Sequence, residues 1–334
     1  MSFKFIDLFA GIGGMRLPFE EMGGKCVFTS DWDKDAQNIY EANFGEKPHG
    51  DITKINENDI PDHDILLAGF PCQPFSIIGS RKGFEDTRGT LFFDIEGILK
   101  AKRPKAFLLE NVKQLRGHDQ GRTLNIILNH LAALGYHVHW KVLNALDFGL
   151  PHKRERIFIV GFKTNYEFKF PLGTITRPPL STILEKKVDR SYFASKEIQK
   201  RMDTEHKSQH NPGIWHINKG GNISSHPYSC ALRAGASYNY LLVNGKRRLT
   251  PRECLRLLGF PDSYKIVLNY MQMRKVTGNG VCVPVVRALA KEMIPCLKGE
   301  KPIKATSDPL LSEQLSIFLS KIDRKDHELA LSGR

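Results

Sequence analysis

Phe3-Lys4-Phe5-Ile6-Asp7-Leu8-Phe9 is an apolar run of strand length, followed at once by Ala10-Gly11-Ile12-Gly13-Gly14 and a helical stretch at 15–22. Strand, glycine turn and helix in that order open a nucleotide-binding α/β fold, because bare backbone N–H groups and a helix N-terminus then face the ligand. A tight strand–helix turn with no ligand is the alternative reading. The dinucleotide pattern G-x-G-x-x-G needs a third glycine where Arg16 stands, which disfavours a hydride-transfer dehydrogenase. A shorter turn suits a nucleoside ligand without a pyrophosphate, such as S-adenosylmethionine. Further strand patterns at 25–30, 65–68, 105–109, 137–143 and 157–162 alternate with helical ones at 34–44, 90–102 and 123–134. That alternation predicts an α/β, Rossmann-like sheet with helices on both faces.

Chemistry-bearing residues fall at the predicted strand ends. Asp31-Trp32-Asp33 stands twenty residues after Gly11. Asp31 can accept both ribose hydroxyls there, and Trp32 offers a flat face to adenine, while Asp33 suits the cap of the next helix. Asp51, in Gly50-Asp51-Ile52, can accept an adenine amino group. Each acid alone reads more simply as a cap or a solvated turn, so only the ordered set carries weight. The run 65–68 delivers Cys72 onto a turn stiffened by Gly69, Pro71 and Pro74. A free thiol, with a pKa of about 8.5, needs a nearby cation, helix N-terminus or acid partner to attack well at neutral pH. Cysteine is commonly a small buried hydrophobe, but between two prolines it is a poor core residue. The glycine- and cation-rich stretch 77–89 predicts a lid that closes over a bound anion. Glu110-Asn111-Val112 ends the next strand, and parallel pairing puts Glu110 at the same sheet edge as Cys72. An acid in such a pocket can hold a proton and donate it to a base nitrogen. Arg154 and Arg156 flank Glu155, so on a strand both guanidinium groups share a face. They can hold a phosphate or a carbonyl oxygen, or simply form an ion-pair cluster with Glu155.

Charge points to the partner. The 334 residues carry 49 Lys and Arg against 36 Asp and Glu, a formal charge of +13 that favours a polyanion. Residues 163–250 hold 15 of those cations and 6 of the acids, a surplus of nine out of thirteen, where the α/β alternation stops. This predicts a partner-reading unit. Its sharpest stretch is Ile214-Trp215-His216-Ile217-Asn218-Lys219-Gly220-Gly221-Asn222, whose amides, cation and flexible backbone suit base edges and phosphates. Six cysteines without a C-x-x-C spacing suggest neither a zinc site nor a disulfide framework, and fit a reducing compartment. Absence of a signal peptide and of an apolar run near ~18 residues predicts a soluble, intracellular chain. Helical patterning returns at 250–259, where Thr250 caps, Pro251 opens and Gly259 ends a helix, and again at 283–297. After Gly299, Leu311, Leu315, Phe318 and Ile322 mark an amphipathic helix expected to pack on its own body. The expected division is 1–162 for the first part of a large domain, 163–248 for target recognition, 249–298 for the return, and 299–334 for an extension.

The ordered set Asp7-Leu8-Phe9-Ala10-Gly11-Ile12-Gly13-Gly14, Gly69-Phe70-Pro71-Cys72-Gln73-Pro74-Phe75-Ser76, Glu110-Asn111-Val112, Lys153-Arg154-Glu155-Arg156, Arg252-Glu253-Cys254 and Gly278-Asn279-Gly280-Val281 resembles the DNA (cytosine-5) methyltransferases, especially the compact bacterial restriction–modification enzymes of the HhaI type. The likeness runs from Phe3 to about Leu297 and is weakest across 163–245. It implies a smaller, mainly β recognition domain and methylation of a cytosine flipped out of double-stranded DNA. By the same carry-over Cys72 adds to carbon 6, Glu110 meets the exocyclic amine and N3, Arg154 binds the cytosine carbonyl oxygen, and Arg156 supports the pocket. The resemblance places S-adenosylmethionine, product S-adenosylhomocysteine, against Phe9, Gly11, Gly13, Asp31, Trp32, Asp51, Ile52, Pro71, Leu91 and Asn279. It places DNA against Gln73, Ser76, Ile78, Arg81, Lys82, Arg88, Lys219, Gly220, Gly221, Asn222 and Arg233, with Asn222 filling the gap left by the flipped base. The chain departs from the family pattern at Asp31 (usually glutamate), Gly280 (usually serine), Ala231 before Leu232 (usually threonine) and Ile78 (a polar lid residue). A cytoplasmic, nucleoid-associated monomer is implied, with a separate restriction endonuclease as a possible partner. The rival readings are a tRNA cytosine-5 methyltransferase and a DNA-binding regulator without turnover.

Overall fold

The structure, a computed structural model, describes residues 2–71, 91–173, 176–218 and 220–304. Its central sheet contains β1 (Phe3–Leu8), β2 (Gly24–Ser30), β3 (Ile65–Gly69), β4 (Ala106–Val112), β5 (His137–Asn144) and, after the two-residue strand β6 (His152–Lys153), β7 (Glu155–Phe162). The order is β2-β1-β3-β4-β7-β5. The first four are parallel and β7 runs antiparallel to both β4 and β5. From β1 the chain goes to one side for β2 and returns to the other for β3, so the order reverses at β1. In an open α/β sheet that reversal opens a crevice beyond the carboxyl ends of the strands, where ligands bind.

Strand alternation sorts the side chains into two cores. Phe5, Leu67, Leu108 and Phe158 point to one face, while Ile6, Leu66, Phe107 and Ile159 point to the other. The first face is covered by α1 (Arg16–Glu21) and α2 (Lys34–Phe44), the second by α3 (Leu91–Lys102) and α4 (Arg122–Ala133). Arg16, at the place of a third turn glycine, has a structural task. Its Nε donates to Glu20 at 2.8 Å, its Nη1 donates to Tyr40 Oη at 3.1 Å and pairs with Glu46, and its guanidinium lies 4.5 Å from the Phe44 ring centre. One side chain thereby ties α1 to α2.

The segment beyond β7 crosses the large body, burying Phe168, Leu180 and Ile183 in the first core. It then builds α5 (Lys196–Glu205), β8 (Ile214–Ile217), β9 (Ile223–His226), β10 (Ser229–Cys230) and β11 (Leu241–Val243). β8 lies between β11 and β9 in a three-stranded antiparallel sheet, above a small core of Ala194, Met202, Trp215 and Leu242. β10 pairs instead with β6, Ser229 opposite His152, which fastens this unit to the large body. The chain returns through α6 (Pro251–Leu258), α7 (Tyr270–Asn279) and α8 (Val283–Leu297), whose apolar faces complete the first core. The expected amphipathic helix after Ser307 lies outside the described residues. No helix among the described residues is long and apolar enough to cross a membrane.

Candidate active site

The carboxyl ends of β1, β3 and β4 converge with the amino end of β7, because antiparallel pairing brings the start of β7 to where β4 finishes. Gly69 stands opposite Glu110, and Val112 opposite Arg156. Glu110 shares its strand face with Leu108, and Arg156 shares its own with Phe158, so alternation turns both toward the first core. There Arg156 Nε lies 3.0 Å from Glu110 Oε1, in a pair about one-sixth exposed or less on either side. Burial raises the Glu110 carboxyl above its ordinary pKa despite the opposing pull of Arg156 and Arg154. A carboxyl so held can accept from an amine and donate from its own proton. Asn111, not marked as a functional residue by the sequence, fixes the neighbouring strand exit. Its Nδ2 donates to the Phe70 carbonyl at 3.0 Å, one residue before Pro71. Its place inside Glu110-Asn111-Val112 was the available signal.

Arg154, expected to bind the cytosine carbonyl oxygen, is surrounded here by backbone carbonyls. It is 2% exposed; its Nη1 donates to the Leu232 carbonyl at 2.8 Å, and its Nη2 donates to those of Gly278 and Gly280 at 3.0 and 2.7 Å. Both of its terminal nitrogens donate to backbone and its buried Nε has no partner among the described residues, while Arg156 is the guanidinium beside Glu110. The Glu155 between them turns away and pairs with Lys113 at 2.7 Å.

Beyond β1 the glycine turn forms the rim of the sheet edge. Phe9 sits at φ +53°, a backbone region that bulky residues rarely adopt and that collects at functional sites. Asp31, buried at the end of β2, closes the turn: its Oδ2 accepts from Gly11 N–H and its Oδ1 from Asp33 N–H, both at 2.8 Å. A carboxylate has about four acceptor positions, so two stay available to hydroxyls. Burial raises its pKa against the opposing pull of those two amides. Trp32 beside it is 75% exposed, a large flat apolar face at the rim. Asp33 caps α2 as expected, accepting from Asp35 N–H at 3.0 Å. Asp51 caps the turn 52–54 and accepts from Thr53 N–H and Oγ1 at 3.1 and 2.9 Å, with Ile52 buried beneath. Leu91 is half-buried at the start of α3, and Pro71 and Asn279 are exposed. The segment that follows Asn279, the last residue of α7, presses on the glycine turn: a Cβ on Gly14 would meet Val281 Cγ1 at 2.7 Å, so the approach needs glycine there.

Gly220, Gly221 and Asn222 form the exposed β8–β9 turn, where Asn218 Oδ1 accepts from Asn222 N–H at 3.0 Å. Arg233 is exposed and its guanidinium stacks 5.1 Å from the Tyr240 ring centre. Cys72, Gln73, Ser76, Ile78, Arg81, Lys82, Arg88 and Lys219 lie outside the described residues.

Comparison with known proteins matches this architecture to a named family. A sequence model of the C-5 cytosine-specific DNA methylases matches residues 3–295. The chain is 62% identical over 292 residues to the type II methyltransferase M.NgoBI of Neisseria gonorrhoeae, covering 86% of this chain and 92% of that one. It is 45% identical over 307 residues to M.HhaI of Haemophilus parahaemolyticus, covering 86% and 93%. Among solved structures, the Entamoeba histolytica methyltransferase EhMeth aligns with a TM-score of 0.71 at 19% identity, over 89% of this chain and 99% of that chain. At that identity the last match speaks for the fold.

Proposed function

The chain belongs to the C-5 cytosine-specific DNA methylases, and on that premise we propose that it methylates carbon 5 of cytosine at one short site in double-stranded DNA, as the modifying half of a type II restriction–modification pair whose endonuclease acts separately. The observation that carries the reading is the buried Glu110–Arg156 pair beside the strand that exits toward Cys72. Carbon 5 of cytosine is too weak a nucleophile to be alkylated directly. Addition of the Cys72 thiolate to carbon 6 forms an S–C bond and moves electron density to carbon 5. Negative charge then builds on the ring, and Glu110 answers it by hydrogen bonding N3 and the exocyclic amine, with Arg156 holding Glu110 and facing the carbonyl oxygen. Once carbon 5 carries the methyl group, loss of its proton and elimination of the sulfur restore Cys72. A stacked base cannot reach these groups, so the cytosine leaves the helix.

S-adenosylmethionine, when bound, supplies an electrophilic methyl group. The residues present fit it: Asp31 retains acceptor capacity for ribose hydroxyls, Trp32 presents a bare face for adenine, and Phe9, Gly11 and Gly13 leave the backbone uncovered. Asp51, Ile52, Pro71, Leu91 and Asn279 complete the proposed site. Gln73 and Ser76 from the cysteine turn, Ile78, Arg81, Lys82 and Arg88 from the stretch 77–89, and Lys219, Gly220, Gly221, Asn222 and Arg233 from the recognition unit within 163–248, are the proposed DNA contacts of a soluble, monomeric enzyme.

The test is transfer of labelled methyl from S-adenosylmethionine to mixed-sequence duplex DNA and, in parallel, to tRNA, followed by base-resolution mapping of 5-methylcytosine. Label confined to one short duplex motif and lost in Cys72→Ser is the expected result. Label on tRNA alone, or none with DNA still bound, would overturn the reading.

A further inference from the structure

His152 and Arg154 flank Lys153 where the large body meets the recognition unit, and they are 0% and 2% exposed. His152 Nδ1 lies 2.9 Å from the Leu257 carbonyl, and its Nε2 lies 3.3 Å from the Leu232 amide nitrogen. A carbonyl only accepts and an amide N–H only donates, so the ring carries its proton on Nδ1 and is neutral. Burial, helped by the Arg154 charge, pulls the His152 pKa down to about 3, which keeps this tautomer through the physiological range. Arg154 takes the other end of the same residue, donating to the Leu232 carbonyl at 2.8 Å. Both backbone groups of Leu232 are therefore gripped from one short segment. The other terminal nitrogen of Arg154, Nη2, donates to the carbonyls of Gly278 and Gly280, on either side of Asn279. The two gripped segments also touch directly. A Cβ on Gly278 would stand 2.2 Å from Ala234 N, a contact only glycine permits.

Leu232 precedes Arg233, the exposed cation proposed to meet DNA, and the gripped glycines bracket Asn279, proposed to meet the cofactor. We infer that Arg154 and His152 are positioning residues: a buried clamp that sets the DNA-facing loop at Leu232 and the cofactor-facing end of α7 at Gly278–Gly280 in one geometry, so that occupancy of either site favours the other. The inference rests on the roles proposed above for Arg233 and Asn279. A guanidinium suits this task because its planar fork reaches three carbonyls at fixed angles, whereas an ammonium on a flexible stem cannot match all three. Coupling between two sites is reciprocal and is commonly about 5–150-fold in affinity.

The experiment measures duplex affinity with and without saturating S-adenosylhomocysteine for the native protein, Arg154→Met, Arg154→Lys and His152→Gln, with thermal unfolding recorded for each. The affinity ratio is the readout, since a purely structural defect lowers stability without changing it. A native ratio within about 5–150 should fall toward one in R154M and partway in R154K. H152Q should keep most of it, because an amide can both donate to Leu257 and accept from Leu232. A folded R154M with the native ratio would overturn the clamp and leave the functional reading intact; a native protein that binds neither ligand would overturn the functional reading itself. Should R154M fail to fold, hydrogen exchange on the native protein decides. S-adenosylhomocysteine should slow exchange in peptides containing Leu232 with no DNA present, and unchanged exchange there would overturn the inference.

Discussion

Asp7 lies near the carboxyl end of β1 with 1% exposure, and its Oδ2 accepts from Tyr40 Oη at 3.5 Å. Burial drives its pKa well above the ordinary carboxylate value, outweighing the opposite pull of Arg16. The folded chain thus holds a proton that the unfolded chain releases near pH ~3.9. Stability from this residue is therefore greatest below about pH 3.9 and falls as pH rises through the higher folded-state pKa. Asp7→Asn removes that slope. Urea midpoints at pH 5 and pH 8 should show the variant gaining on the native protein as pH rises, and a variant losing ground at pH 8 would mean an ionised Asp7 stabilised by Arg16. In the sequence Asp7 is only an acid within an apolar strand, because what it faces depends on how α1 and α2 dock. Arg154 makes the same point more sharply. Alternation predicts both arginines on one face, but which of them meets Glu110 depends on carbonyls at 232, 278 and 280 that local pattern cannot bring together.

The start of α6 shows how far local chemistry reaches. Thr250 caps it in a reciprocal box with Glu253, Pro251 opens it, and Gly259 ends it at φ +80°, each as its residue type prescribes. Glu253 then does more than the box requires. Fully buried, it accepts from Arg247 Nη1 and Nη2 at 2.8 Å each, and from the Glu185 N–H at 2.8 Å, binding the incoming recognition segment to the returning helix. Removing one partner of a buried pair strands the other charge, so Glu253→Ala should destabilise by about 3–5 kcal/mol, read as a lowered urea midpoint. Glu253→Gln, which keeps the carbonyl acceptor, should lose less. A neutral alanine variant would show that Arg247 finds water once Glu253 is gone. The cap was legible because it is a matter of four consecutive residues; the Arg247 and Glu185 contacts were not, since they depend on the path of a segment without periodicity.

Across the whole molecule, legibility follows the length of the elements. The large body repeats strand and helix over stretches long enough to show their periods, so its sheet could be read before it was seen. β8 to β11 are two to four residues each, too short for any alternation to register. What survives there is charge: nine of the thirteen net positive charges fall in 163–250. If that surplus faces DNA, binding releases counterions in proportion to the phosphates neutralised. Affinity then falls as log salt rises, with a slope of about −0.9 per phosphate. Six to ten such contacts would cost about 10³–10⁵ in affinity between 50 and 200 mM salt. The proposed cofactor site depends on acceptors and an aromatic face rather than on this field, so S-adenosylhomocysteine affinity should change little over the same range. The turnover number at saturating DNA should also hold if the buried Glu110–Arg156 pair serves as proposed, since burial screens it from bulk ions. Parallel titrations of duplex and of S-adenosylhomocysteine against salt separate these terms. A flat DNA response would mean that the basic surplus faces away from the duplex and that contacts to the bases dominate binding, whereas a cofactor response as steep as that of DNA would place the cofactor within the same electrostatic field.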